Sequence, residues 1–141
     1  MYTEKIIVTV DIAVVINRRE IVLIRRAEDP FKGCLAMSGG HVESTDASLA
    51  QAAARELREE VSLDFDVSRF SPLMTLDRDG ADPRPGKRIS HVFVLHVASL
   101  SEISTRCAAS DAASLHVCDL ATLAEQDLAF DHFDAILVLR S

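Results

Sequence analysis

No apolar run in the 141-residue sequence comes near the roughly 20 residues that a bilayer-spanning helix needs, so no membrane partner is expected. The opening stretch, MYTEKIIVTV, lacks the basic segment, long apolar core and small-residue cleavage site of a signal peptide. The expected compartment is therefore the cytoplasm. Cysteine is sparse: Cys34, Cys107 and Cys118 are odd in number and far apart, which excludes a disulfide framework and a CxxC zinc or redox site. His41, His91, His96, His116 and His132 never fall at HxxxH or HExxH spacing, which argues against zinc chemistry. Positive charge is in deficit. A net charge of -7 repels a polyphosphate backbone, argues against nucleic acid as a partner, and leaves room for a small anionic substrate whose charge metal ions mask. Repeats, low-complexity tracts and linkers are also missing, so a single domain over residues 1–141 is expected.

What is present is a mixture of two periodicities. In IIVTVDIAVVI, residues 6–16, Val8, Val10, Ile12, Val14 and Ile16 alternate as in a half-buried strand. Asn17, Arg18, Arg19 and Glu20 separate it from IVLIRR, which predicts a hairpin with a four-residue loop. A loop through AEDPFKG leads to the short apolar piece LAM and then to Gly39 and Gly40, after which another loop follows. LDFDVSRFSPLM and ISHVFVLHV read as a second hairpin, joined by a turn-rich segment, DRDGADPRPGKR. Residues 114–118 read as a further strand, and Leu120 to Leu128 and Phe130 to Leu139 as helices. Strands and helices mixed without a strict alternation imply an α+β layered fold.

The best-marked element is a helix starting near Ser48. Ser48 and Gln51 have the spacing of a capping box, in which each side chain satisfies a backbone donor of the first turn. Leu49, Ala53 and Leu57 form an apolar stripe, while Ala52, Glu56, Glu59 and Glu60 fall on another face. Glu56, Glu59 and Glu60 are three and four residues apart, so their carboxylates converge, and Arg55 is placed to pair with Glu59. Such an oxygen-rich cluster suits a hard divalent cation such as magnesium. Taken alone, an EREE cluster is commonly just a solvated helix face.

Its context changes that reading. GGHVESTDASLAQAAARELREEVSL, residues 39–63, resembles the Nudix box, and Arg55, Glu56, Leu57, Arg58, Glu59 and Glu60 reproduce its R-E-apolar-x-E-E core. The resemblance extends over nearly the whole chain and implies the Nudix fold, an α/β/α sandwich around a mixed sheet. It implies catalytic roles for Glu56, Glu59, Glu60 and Arg55. It also implies metal ligation by these three glutamates and the Gly39 carbonyl, with magnesium, or manganese in its place, as cofactor. RRAEDPFKGCLAMSGGHVE, DPRPGKRISHVF and LAFDHFDAIL are similar to stretches of ADP-ribose pyrophosphatase-like members. The implied function is hydrolysis of the diphosphate linkage of a nucleoside diphosphate derivative, ADP-ribose first, to AMP and a sugar phosphate. A MutT-type nucleoside triphosphate pyrophosphatase and a weakened, nucleotide-sensing Nudix domain are the alternatives. A homodimer is carried over from the same resemblance.

The chain departs from the box at several positions. The glutamate normally eight residues before the arginine is Ala47, with Asp46 beside it as a substitute or a mere turn residue. The glycine after the helix is Ser62, where a left-handed backbone costs a non-glycine residue roughly 1 kcal/mol. The usual Trp and Pro before the paired glycines are Leu35 and Ser38, and a further glycine is Thr45. Outside the box, Arg25, Arg26 and Arg84 are candidates for substrate phosphate or ribose oxygens, against the ordinary reading of exposed strand-end arginines. Phe31 reads as an edge of the core rather than a base-stacking ring, and His132 as a structural hydrogen-bonder. A base from a later loop would be Asp111, Asp119 or Glu125.

Overall fold

The computed structural model describes residues 5–105 and 114–141, which leaves Cys107 and Asp111 outside the described residues. Seven strands form one mixed sheet: β1 Ile6–Ile16, β2 Glu20–Arg25, β3 Leu35–Ala36, β4 Ser38–His41, β5 Phe70–Leu76, β6 Lys87–Val97 and β7 Leu115–Asp119. Three helices complete the described chain: α1 Leu49–Val61, α2 Leu100–Ser104 and α3 His132–Arg140. The main path of the sheet runs β3-β2-β1-β6-β5, with β4 added to β1 and β7 to β2. This is the α+β architecture expected from the sequence. No helix among the described residues is long and apolar enough to cross a membrane.

The centre of the sheet is β1 paired in parallel with β6 along its whole length, from Ile6 opposite Lys87 to Ile16 opposite Val97. β1's remaining edge is divided: Thr9 to Ile12 pair with β4, and Val14 to Ile16 with β2. This division brings Gly39 opposite Asp11 and Gly40 opposite Val10.

β1 is buried on both faces, not on one as its alternation suggested. Val10, Ile12, Val14 and Ile16 pack with Ala52, Ala53, Leu57 and Val61 of α1, while Ala13 and Val15 pack with Ala135 and Ile136 of α3. The physical reason is layering: a central strand sandwiched between two helical layers has no solvated face to reserve for polar residues. Val8, by contrast, lies near the open end of the strand and stays over a third exposed.

Other local expectations are corrected by the structure. The first hairpin turns in three residues, because Glu20 pairs with Ile16 and Arg19 N–H closes a tight turn on the Ile16 carbonyl at 3.0 Å. Asn17 and Arg18 both take positive φ within this turn. Gly39 and Gly40 lie in β4, and the expected loop follows that strand. The second hairpin starts only at Phe70, since Asp66 caps a short 3-10 turn at Val67–Arg69 by accepting from Ser68 N–H. Residues 120–128 form turns and a 3-10 segment, Glu125–Asp127, rather than an α-helix. Leu120, Leu123 and Leu128 still reach the core from these turns, which is why their spacing imitates a helix.

Candidate active site

Helix α1 is fixed in rotation before it presents any carboxylate. Ser48 Oγ accepts from Gln51 N–H at 3.0 Å, and Gln51 Oε1 accepts from Ala47 N–H at 3.0 Å, so the capping pair closes one residue earlier than the standard box. The far end is closed by Ser62 in the left-handed conformation, φ 60°, whose N–H donates to the Arg58 carbonyl. Ala52, Ala53 and Leu57 are buried against the sheet. Ala52 therefore belongs to the core side and not to the acidic face. With that face anchored, Glu56, Glu59 and Glu60 lie on the flank toward β4.

Arg55 is the hub of the cluster. Its Nε and Nη2 each donate at 2.8 Å to the two oxygens of Asp46, and its Nη1 donates to Glu56 at 2.9 Å and Glu59 at 3.0 Å. Nη2 also donates to the His41 carbonyl at 3.1 Å, tying the helix to β4. The Asp46 side chain is 3% exposed. The hydrogen bonds from Arg55, aided by one from Glu43 N–H, pull its pKa down to about 2, and Asp46 raises that of Arg55 in turn. Asp46 is thus a buried partner of Arg55, not a solvated turn residue.

The paired glycines let backbone approach these carboxylates. A Cβ at Gly40 would strike the Glu56 carboxyl, and one at Gly39 would strike Asp11 and the Val10 carbonyl. Gly39 N–H donates to Glu60 Oε2 at 3.2 Å. Glu60 is reached by solvent through a cleft, yet the protein around its carboxyl strips away enough water to push its pKa up. Repulsion from Glu56 and Asp11 adds to this rise and the Gly39 hydrogen bond opposes it.

Asp11 was not singled out in the sequence, although a charged residue in the middle of an apolar strand was a usable signal. It accepts a short hydrogen bond from the Ser90 hydroxyl of β6. His132 Nε2 lies 3.6 Å from the same carboxylate. The other ring nitrogen, Nδ1, accepts from Met37 N–H at 3.1 Å, so His132 is a structural hydrogen-bonder as expected.

Asp11, Gly39, Gly40 and Glu60 form one end of a cleft of about 570 Å³. The same cleft is lined by cations, Arg78 and Arg84 from the segment between β5 and β6, Lys87 and Arg88 at the start of β6, and Arg26 just after β2, together with Asp79, Asp82 and Asp131. Phe130, also missed in the sequence, is set among them. Arg84 donates to Asp82 through Nε and Nη2, and Arg88 Nε lies 3.0 Å from the same carboxylate. These guanidiniums hold Asp82 below the usual carboxylate range in spite of its partial burial, which acts the other way.

Of the three arginines expected at substrate, Arg26 and Arg84 line the cleft, and Arg25 does not. Arg25 Nη1 instead donates to the Gly33 carbonyl at 2.6 Å. Its neighbour Arg26, just past the end of β2, donates to the Pro30 carbonyl instead, so the two arginines are held by different parts of the following loop. Asp119 and Glu125 also lie outside the lining; Asp119 accepts from Ala121 N–H at 2.8 Å and closes a turn.

Among the described residues no group of three or more His, Cys, Asp or Glu side chains is gathered so as to hold a metal as it stands. Glu56 and Glu59 are turned to Arg55. The donor chemistry nevertheless fits a hard divalent cation: the carboxylates of Glu56, Glu59 and Glu60 are all oxygen donors, and glycines allow the β4 backbone to lie against them.

Comparison with known proteins places these features in a family. A NUDIX domain family model matches residues 5–139. An ADP-ribose pyrophosphatase of Methanocaldococcus jannaschii is 40% identical over 113 residues, which cover 80% of this chain and 61% of that protein. The chain thus spans less than two thirds of that relative's length. Among solved structures, a bifunctional NMN adenylyltransferase/ADP ribose pyrophosphatase from Francisella tularensis, complexed with AMP and a manganese ion, superposes with a TM-score of 0.75 at 26% identity, covering 99% of this chain and 42% of that one. The NUDIX domain of Shewanella oneidensis NrtR, in complex with ADP ribose, gives 0.76 at 23% identity, covering 99% and 88%, a likeness of fold.

Proposed function

Since this chain belongs to the NUDIX domain family, we propose that it is a hydrolase that splits the diphosphate linkage of a nucleoside diphosphate derivative, ADP-ribose first, releasing AMP and a sugar phosphate. The observation that carries the proposal is the cleft of about 570 Å³, lined by the carboxylates of Asp11 and Glu60 and by the guanidiniums of Arg26, Arg78, Arg84 and Arg88, a volume within the usual range for small-molecule sites. A diphosphate needs both: anionic oxygens that hold cations against it, and cationic donors that grip the rest of the ligand. The 40% identical relative that is named for this activity supports the choice of ADP-ribose.

In the proposed mechanism Glu56, Glu59, Glu60 and the Gly39 carbonyl hold magnesium, or manganese in its place. When bound, such cations neutralise the diphosphate and make an attacking water more acidic. Arg55 keeps Glu56 and Glu59 together on one flank of the helix, and Asp46 keeps Arg55 there. Arg26 and Arg84 bind substrate oxygens. Ser90, through its hydrogen bond, fixes the Asp11 carboxylate beside Glu60. A homodimer belongs to the same proposal and is checked by light scattering.

The test is incubation of the purified protein with magnesium or manganese and a panel of ADP-ribose, other nucleoside diphosphate sugars, dinucleotides and nucleoside triphosphates, with products separated by chromatography. AMP released from ADP-ribose is the expected result. Turnover confined to triphosphates overturns the substrate class, and binding of ADP-ribose without turnover of any compound overturns the hydrolase reading in favour of a sensor.

A further inference from the structure

Two phenylalanines in this chain occupy a backbone region that bulky side chains avoid. Phe31 has φ 63° and Phe130 φ 53°, each at a cost of roughly 1 kcal/mol relative to an unstrained conformation. They come from loops far apart in sequence, yet their rings meet edge to face with centroids 5.0 Å apart. Strain of this kind persists where surrounding structure enforces it, and its location is a pointer to function. Here it does not serve the core, because the Phe130 ring is only partly buried and lines the cleft.

The ring is instead shared by two cations. The Arg26 guanidinium carbon lies 4.8 Å from the Phe130 centroid and that of Arg84 lies 5.7 Å from it, both within the range of a cation on an aromatic face. Two guanidiniums drawn to one ring repel each other, and their bound states differ. Arg84 is neutralised by Asp82. Arg26 is held through Nε by the Pro30 carbonyl at 2.7 Å, and among the described residues its terminal nitrogens have no recorded hydrogen bond. The arrangement therefore places unused donors at a ring that also holds a second guanidinium.

We infer that Phe130 is a positioning residue that holds Arg26 and Arg84 as a clamp for an anionic oxygen of the ligand, in the cleft that Glu60 also lines. This rests on the proposed function, in which the ligand is a nucleoside diphosphate derivative. The clamp acts in binding and not in the bond-breaking step, so its loss moves KM and leaves kcat in place. Phe31 supports it by fixing the edge of the Phe130 ring.

The experiment replaces Phe130 with phenylalanines carrying one, two and three ring fluorines. Fluorination weakens the pull of the ring face on a cation and leaves the side chain's shape nearly unchanged, so a merely structural role would not register. Binding of ADP-ribose is followed by calorimetry, and KM and kcat are measured alongside. Kd and KM are expected to rise stepwise with fluorine number, by roughly threefold to tenfold across the series, with kcat within twofold of the starting protein. In a double-mutant cycle, Arg26→Ala should cost less in the trifluorinated background than in the unmodified one. A flat series, or full additivity in the cycle, overturns the clamp while leaving the hydrolase proposal standing. An unmodified protein that neither binds nor cleaves ADP-ribose overturns both.

Discussion

Asp46 grips Arg55 with both carboxylate oxygens at 2.8 Å, although the family's box places its glutamate one residue later, where this chain has Ala47. The shift works because the helix cap closes early: Gln51 accepts from Ala47 N–H, and Asp46 also accepts from Glu43 N–H at 2.8 Å, which turns the approach to the helix inward. Asp46→Ala is therefore expected to lower kcat/KM by about tenfold to a hundredfold, the usual effect of removing a residue that orients metal-binding groups. Ala47→Glu should give no gain in steady-state turnover, since Arg55 has no bidentate site left to offer. A clear rise in turnover of that variant would mean that Asp46 is an incomplete substitute.

The same pair sets an acid limit. The Asp46 pKa is depressed from 3.8 to about 2 in the folded chain, so its contribution to stability is fully present above its ordinary value and is lost as pH falls through about 2. Denaturant titrations of the parent protein and Asp46→Asn are expected to converge as pH drops from 4 toward about 2. Curves that stay equally far apart over that window would show that the ion pair does not set the pKa.

Arg25 and Arg26 provide a direct contrast between neighbours. Arg26→Ala removes a cleft guanidinium and should raise KM by about tenfold, the value of one charge-assisted hydrogen bond. Arg25→Ala removes a donor to the Gly33 carbonyl outside the cleft and should leave KM within about twofold. Equal effects on KM would mean that the two side chains exchange places when ligand binds.

What the sequence disclosed about this site was mostly local. The Ser48 cap, the left-handed Ser62 and the i, i+3, i+4 carboxylates depend on residues a turn apart, and each is found where the spacing puts it. The rest of the cleft was harder to read because strand pairing and distant loops assemble it. Asp11 meets Ser90 only through the parallel register of β1 on β6, and Phe130 meets Arg26 across about a hundred residues of chain. The choice between Arg25 and Arg26 needed the phase of a strand end, which the period-2 pattern does not fix where the apolar residues stop. The supposed helix at residues 120–128 misled for a similar reason, since leucines buried by consecutive turns can mimic a helical stripe.

Glu59 and Glu60, adjacent on α1, should differ in what they cost the fold. Glu60 has its pKa raised by loss of hydration, so its stabilising contribution is fully present below the ordinary carboxylate value and is lost as pH rises through the raised one, and its charge counts against the folded state at neutral pH. Glu60→Gln is expected to raise the Tm in the absence of divalent cations while lowering turnover about a hundredfold or more. Glu59 has its side chain 56% exposed and paired with Arg55, so Glu59→Gln should remove nearly all turnover with little change in Tm. Adding magnesium should stabilise the parent protein more than either variant, and thermal melts with and without the metal read all three effects. An equal magnesium shift in all of them would remove these glutamates from the metal site.

His132 is a buried residue in the lining of the cleft, and its tautomer follows from its partners. It is 5% exposed, and its Nδ1 accepts the Met37 N–H, so the ring proton of the neutral imidazole resides on Nε2, on the side of Asp11. Replacing it with Ala leaves a buried backbone donor without a partner, at a cost of roughly 1 to 3 kcal/mol, and opens a cavity beside Phe130. His132→Asn keeps an acceptor that can meet the Met37 N–H and should recover part of the stability lost in His132→Ala. Turnover should follow stability in both variants if the ring is structural. The two roles separate by nitrogen-resolved NMR of the imidazole together with urea denaturation: the Nε2-protonated form with parallel losses of stability and activity is expected, whereas a stable His132→Asn that has lost turnover would assign the imidazole a direct part in the reaction.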